Sequence, residues 1–316
     1  MGYNKKLVLL LSLSVLSIVL FVFWDIGEYW DYALPRRLEK AWAIVMTGAA
    51  IATSTVIFQT ITNNRILTPS LIGFDSLYVL LQTAIVFFLG GGTLVMMNNQ
   101  FHFLLSVGLM VVFALLLFLF IFKREGKNIY FLLLIGIILG TFFSSISDFL
   151  QVLIDPNEFL IVQDAMFASF NNTNTELLLL GGVLLLCATL YLLRYAKYLD
   201  VLSLGKEEAV NLGVDYDGVV KRLLGIIAVY VAVATALVGP ITFLGLIVAN
   251  VAHEVFKTYR HNYLIPGAIF VSIFSLLTGQ WFVEHIFTFS TTISVIINFI
   301  GGIYFIYLLI KENDAW

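Results

Sequence analysis

The chain has 316 residues, 60% of them hydrophobic and 12% charged, with a mean hydropathy of +0.99; soluble domains run nearer ~45–50% apolar and ~25% charged, so a water-soluble enzyme is excluded. A formal charge of −3 offers no basic surface to nucleic acid. The single cysteine, Cys187, excludes an internal disulfide framework and a cysteine-based metal cluster.

The length is better measured in membrane crossings of about 20 residues each. The first apolar run, 7–24, follows Lys5 and Lys6 as a signal peptide would. It ends in Phe21-Val22-Phe23-Trp24, bulky where a peptidase needs small residues, so it is expected to be a retained span. Further runs follow at 41–61, 71–89, 103–122, 130–146, 177–193, 223–238, 241–255, 264–283 and 293–310, which makes ten predicted spans. Lipid cannot satisfy backbone N–H and C=O groups, so each must be helical. The eighth is short and carries Asn250 and His253; the ninth contains Pro266, Gly279 and Gln280. The stretch 159–170 is too short to cross and is expected as a half-helix at the outer mouth. The fold class is therefore an all-α polytopic membrane protein of about ten transmembrane helices, forming one transmembrane domain over 1–316.

Ten spans test an orientation together. With the N-terminus cytoplasmic, Lys5, Lys6, Arg65, Lys123, Arg124, Lys127, Arg194, Lys197, Lys206, Lys221, Arg222, Lys257, Arg260 and Lys311 lie inside, 14 of the 17 basic residues. Arg36, Arg37 and Lys40 remain outside, among acids that run from Asp25 and Glu28 to Glu284. This is the positive-inside pattern, and it places both termini in the cytoplasm.

The segment 194–222 is the only long cytoplasmic one. Val201, Leu202 and Leu204, then Ala209, Val210 and Leu212, with breaks at Gly205 and Gly213, predict two short amphipathic helices. Such a loop commonly rests on lipid headgroups. Its charges are mixed, whereas a lipid-binding helix is basic. A docking surface for a cytoplasmic partner protein is the favoured expectation.

The chemistry that is missing narrows the class. No phosphate-binding G-x-x-x-x-G-K-[ST] loop occurs, so ATP is not bound in that cradle. His102, His253, His261 and His285 have no metal-ligand spacing. No nucleophile–base pair lies within a span, as an intramembrane enzyme would need. No cofactor is called for. Asp75 is expected near a cytoplasmic helix start, where an acid suits the dipole. A gradient-driven secondary transporter or channel would place ionisable groups near the midplane. Their scarcity favours a transporter subunit powered by a separate ATPase. Gly48-Ala49-Ala50, Gly136-x-x-x-Gly140, Gly181-Gly182 and Gly301-Gly302 are read as close helix contacts. Thr141, Ser144, Ser145 and Ser147 line a pathway or bond their own helix at i−4, and both readings stay open.

Residues 33–73, with Leu34-Pro35-Arg36, Gly48-Ala49-Ala50, Gln59, Asn63, Pro69 and Gly73, resemble the stretch around the second helix of iron-siderophore (FecCD-type) permeases of ABC importers. LSLGKEEAVNLGV (202–214) is similar to that family's cytoplasmic coupling segment, VGPITFLGLIVANVAHE (238–254) to its Gly-Pro-Ile stretch, and IGGIYFIYLLIK (300–311) to its closing helix. Asn64-Arg65-Ile66-Leu67-Thr68-Pro69 followed by GFDSLY (73–78) resembles the branch serving catecholate siderophores such as petrobactin. Ala249-Asn250 replaces the family's usual Pro-His, Glu284 stands near a common outward arginine, and Ala33 replaces a second one.

The resemblance implies a cobalamin-permease-like fold in the bacterial cell membrane. It also implies a pathway between two permease chains, a heterodimer in this branch. An ATPase dimer would lie inside and a siderophore-binding lipoprotein outside. Carried over residue by residue, it makes Leu204, Gly205, Glu207, Glu208, Ala209, Leu212 and Gly213 the ATPase-coupling surface. Arg36 is the receptor-docking arginine, and Arg37 stands in for the one missing at Ala33. Gln59, Thr141, Ser144 and Ser145 are the candidate pathway residues.

Overall fold

The structure is a computed structural model that describes residues 2–24, 30–92, 98–122, 129–171 and 174–313. Of the charged residues used above, Asp25, Glu28, Lys123, Arg124 and Lys127 lie outside the described residues.

Each apolar run closes its own backbone hydrogen bonds, and each of the ten predicted spans coincides with a helix. They are α1 (Tyr3–Phe23), α2 (Trp30–Thr62), α3 (Phe74–Leu89), α4 (Asn99–Phe122), α5 (Ile129–Leu153), α7 (Thr175–Leu193), α10 (Tyr216–Val238), α11 (Leu244–Phe256), α12 (His261–His285) and α13 (Ile293–Asn313). The expected half-helix is α6 (Pro156–Met166), started by Asp155, whose carboxylate accepts from the Asn157 amide. The two helices expected in 194–222 are α8 (Ala196–Leu202) and α9 (Lys206–Asn211). Among the described residues, 8 helices are long and apolar enough to cross a membrane.

The exceptions are α3, with 16 residues, and α11, with 13. At 1.5 Å per residue they reach about 24 and 20 Å, short of a hydrocarbon core of about 30 Å. Both are shortened by glycine. The third span was expected to start at 71, but a 3-10 turn (Pro69–Ile72) ends at Gly73, whose φ is +91°. That left-handed backbone disfavours any side chain. Space forbids one too, because a Cβ on Gly73 would come 2.9 Å from the Gly140 Cα. The Gly136/Gly140 pair of α5 thus receives a turn, where a helix was expected. The eighth span was expected from 241, but Gly239 and Pro240 hold residues 239–243 out of α11.

The second span reaches eleven residues further out than expected, because α2 is a single helix of 33 residues that takes in Pro35. Near the start of a helix, proline forfeits at most one hydrogen bond. Helices α2 and α10 form the centre, 78% and 72% buried over their most apolar stretch, whereas α1, α13, α5 and α7 are only 17%, 22%, 28% and 28% buried. The latter are apolar outside as well as inside, as helices in lipid are.

Side-chain ties show which helix ends share a side. Thr60 near the end of α2, Asp200 of α8 and His261 at the start of α12 are hydrogen-bonded together. The Tyr216 hydroxyl at the start of α10 donates to the Ile61 carbonyl. At the opposite end, Lys40 of α2 meets Glu284 of α12 at 3.0 Å, and Thr175 of α7 donates to Glu39 of α2.

Candidate functional site

The 194–222 segment is built to be held on one side and open on the other. Arg194 caps α7, and α8 follows with Leu199 and Leu202 buried. Asp200 fixes α8 to α12, its Oδ1 accepting from the His261 amide at 2.9 Å and lying 2.7 Å from Nδ1 of the same ring. The other ring nitrogen is 2.7 Å from the Thr60 hydroxyl. Gly205, with φ +104°, and Gly213, with φ +81°, turn the chain on either side of α9. Ala209 plugs α9 into the core at 0% exposure. Lys206 reaches Asp217 at 3.5 Å, and Asp215 opens α10 by accepting from the Gly218 amide.

Leu204, Val210 and Leu212 remain 53%, 50% and 64% exposed, flanked by exposed Glu207 and Glu208. Ala209 therefore seats α9 from beneath, and the open surface consists of Leu204, Glu207, Glu208, Val210, Leu212 and Gly213. Exposed leucines on a charged loop are apolar area left for a partner to cover.

At the opposite end, Tyr32, Arg36, Arg37, Lys40, Asn171 and Glu284 line a polar hollow of about 530 Å³. Arg36 is exposed, its guanidinium 4.3 Å from the Tyr32 ring centre. Arg37 is half-buried and donates to the carbonyls of Phe21 at 3.3 Å, Val22 at 3.5 Å and Trp24. It closes the C-terminal end of α1, where unpaired carbonyls favour a cation. Glu284 is committed to Lys40 and to Gln280, whose amide also reaches Asn171.

The interior polar residues divide by role. Gln59 is 3% exposed, and its amide donates to the Arg65 carbonyl at 2.6 Å. Asn250 donates to the same carbonyl at 2.9 Å, so the two residues together hold the loop after α2. Thr141 and Ser145 are exposed on α5 and bond their own helix, to the Ile137 and Thr141 carbonyls. Ser144 donates to Ser76 of α3.

Asp75 lies at a helix start, as expected, in the first turn of α3. It is half-buried at the head of α3, accepts from Thr242 at 2.8 Å, and shares a small polar pocket with Ser54, Thr55, Ser70 and Thr235. It is buried to this degree because residues 63–73 turn back into the bundle before α3 begins. Sequence reasoning missed a polar cluster joining α3 to α5, in which Thr83, Ser147 and Gln151 are mutually bonded at 2.9–3.3 Å. Beside it, Gln82 links His102 and Ser106 of α4. Polar residues 64 positions apart give no sequence signal of meeting. Among the described residues no group of three or more His, Cys, Asp or Glu stands together to hold a metal.

A multi-pass bundle with a well-buried centre, two interrupted short helices within it and a half-open helical loop at one end defines a membrane permease. The FecCD transport family matches over residues 7–311, and the chain belongs to that family. It is 61% identical over its whole length, and that of its relative, to a petrobactin import system permease, YclO, of Bacillus subtilis. It is 35% identical to another, FatC of Bacillus anthracis, over 88% of this chain and 78% of that one. Among solved structures, a metal-chelate-type ABC transporter in an inward-facing conformation superposes with a TM-score of 0.85 at 25% identity, covering 98% of this chain and 100% of that one. The chain is a permease subunit of the ABC-importer type, multi-pass in the bacterial cell membrane.

Proposed function

We propose that this permease carries a ferric siderophore of the catecholate class, petrobactin or a close relative, into the cytoplasm. The observation that carries this is the 61% identity, without gaps in coverage, to a permease named for petrobactin import. The chain works with a second, different permease chain. ATP is hydrolysed by a cytoplasmic ATPase dimer, since this chain has no phosphate-binding loop. A siderophore-binding lipoprotein delivers the cargo from outside. The exposed residues Leu204, Glu207, Glu208, Leu212 and Gly213 seat in the ATPase, and Arg36 meets an acidic residue of the lipoprotein. Thr141 and Ser145, on the open face of α5, line the pathway between the two permease chains. Their hydroxyl hydrogens are spent on their own helix, which leaves oxygens facing the cargo.

Deleting the gene is expected to abolish uptake of radiolabelled ferric petrobactin and spare ferric hydroxamate uptake, with restoration by the intact gene. Unchanged petrobactin uptake in the deletion strain, or loss of hydroxamate uptake alone, overturns the assignment.

A further inference from the structure

A groove of about 1220 Å³ runs along the outside of the bundle between α2, α7 and α12. Its length follows from α2, where the lining residues Leu38 and Thr53 lie about 22 Å apart at 1.5 Å per residue. That exceeds the depth of one leaflet, half of a hydrocarbon core of about 30 Å. Small residues make the hollow. A Cβ on Gly181 would come 3.0 Å from the Leu237 side chain of α10, a close helix contact, but one on Gly182 would find only the flexible Met46 side chain, at 3.6 Å. Ala49, Ala50 and Pro266 extend the same floor. The rim is hydrocarbon, with Leu179, Leu186 and Leu193 59–69% exposed. Of the polar wall groups, the hydroxyls of Thr189 and Tyr230 are 2.7 Å apart and pair with each other.

The two mouths differ in the charge they leave available. One is closed by Glu39, which accepts from Thr175 at 2.6 Å; it adjoins the hollow of Arg36, Arg37 and Lys40, where Arg37 is bonded to the α1 carbonyls, Lys40 to Glu284, and Arg36 lies over Tyr32. At the other, cations stand next in the chain to lining residues: Arg194, which caps α7, follows Leu193, Lys197 of α8 follows Ala196, and Arg260 precedes His261 and Asn262. These three cations are exposed. The acid beside them, Asp200, is engaged by the ring and amide of His261.

We infer that this groove is a binding site for one anionic glycerophospholipid, with an acyl chain along the Gly182 floor and its phosphate at Arg194, Lys197 and Arg260. At the Glu39 end Arg37 and Lys40 are already engaged and Glu39 itself faces the groove, so the phosphate is placed at the other mouth. The site is independent of which siderophore is carried.

Native mass spectrometry of the purified permease complex, titrated with dioleoyl phosphatidylglycerol or dioleoyl phosphatidylcholine, tests it. Phosphatidylglycerol is expected to bind about tenfold more tightly or better, from cations each favouring an anionic headgroup. Gly182→Phe fills the floor and should weaken both lipids. The surface pair Arg194→Gln with Arg260→Gln, which leaves the bundle intact, should bring phosphatidylglycerol to the phosphatidylcholine level and leave the latter unchanged. Equal affinity of the two lipids in the unaltered protein, or undiminished phosphatidylglycerol binding by Gly182→Phe, overturns the site. So does a disulfide-linked pair of permeases from Gly182→Cys in a Cys187→Ser background, because a second copy would then be the occupant.

Discussion

Arg36 and Arg37 leave α2 in different directions, one toward solvent over Tyr32 and the other onto the last carbonyls of α1. Equal charge thus serves different ends, and the two can be separated by experiment. Arg37→Ala removes charge-assisted bonds to backbone carbonyls, each worth about 1.5–3 kcal/mol. It should lower the melting midpoint of the solubilised permease without changing how the lipoprotein binds. Arg36→Glu should leave melting unchanged but slow lipoprotein association, most at low salt, because a rim charge acts mainly on encounter. Normal docking by Arg36→Glu at low and high salt would make that arginine a lipid anchor. Arg36 is exposed, as a docking role expected from the motif around Pro35 requires. The work of Arg37 was not legible in the sequence, because it depends on where α1 ends in space, which no local pattern encodes. Asp75 teaches the same point, since its depth is set by a turn that its own neighbourhood does not announce.

The elements were legible wherever composition alone decides them. An unbroken apolar run in lipid has only helix available, so the long spans follow directly. The failures are a break inside an apolar run, at Gly73, and residues 241–243, which stay out of α11 beyond the expected break at Gly239-Pro240, because hydropathy counts side chains and the breaks are backbone events. The short helices α8 and α9 were legible from Gly205 and Gly213, since glycine on both sides of an amphipathic stretch marks its ends.

Gly213 gives the sharpest test of coupling. Its φ of +81° costs an ordinary residue about 1–2 kcal/mol, while its position is open, with no atom within 4 Å of a Cβ. Gly213→Leu adds both backbone strain and bulk; Gly213→Asn tolerates the left-handed backbone and adds less. If 194–222 seats in an ATPase groove, Gly213→Leu should insert normally yet lose ATPase copurification and siderophore uptake, with Gly213→Asn intermediate. Leu212→Glu, which strains nothing, should weaken copurification as well. Wild-type uptake and copurification in all three variants would remove this segment from the interface.

At the scale of the whole molecule the alternation of helices is visible in the bonds, whereas their direction through the membrane rests on charge. The ties Thr60–His261–Asp200 and Tyr216–Ile61 gather the end of α2 with the starts of α10 and α12; Lys40–Glu284 and Thr175–Glu39 gather the start of α2 with the end of α12 and the start of α7. Such pairs set α2 antiparallel to α10 and α12 and parallel to α7, as alternating spans require. The alternation does not say which end is cytoplasmic. The basic residues of the sequence set the expectation, 14 of 17 falling with the 194–222 segment when the ten spans alternate. The orienting pull belongs to loops shorter than about 60 residues, and every loop in this chain is shorter than that. Alkaline phosphatase and β-galactosidase fusions after Gly213 and after Lys311 should therefore read cytoplasmic, and fusions at Asn174, between α6 and α7, external. The two outer arginines and Lys40 provide the converse arm. Adding a block of lysines beside Asn174 should degrade insertion, because it sets a second positive loop against the first. A cytoplasmic reading at Asn174 together with an external one at Gly213 would invert the molecule. It would place the exposed Leu204, Val210 and Leu212 where no ATPase can reach them.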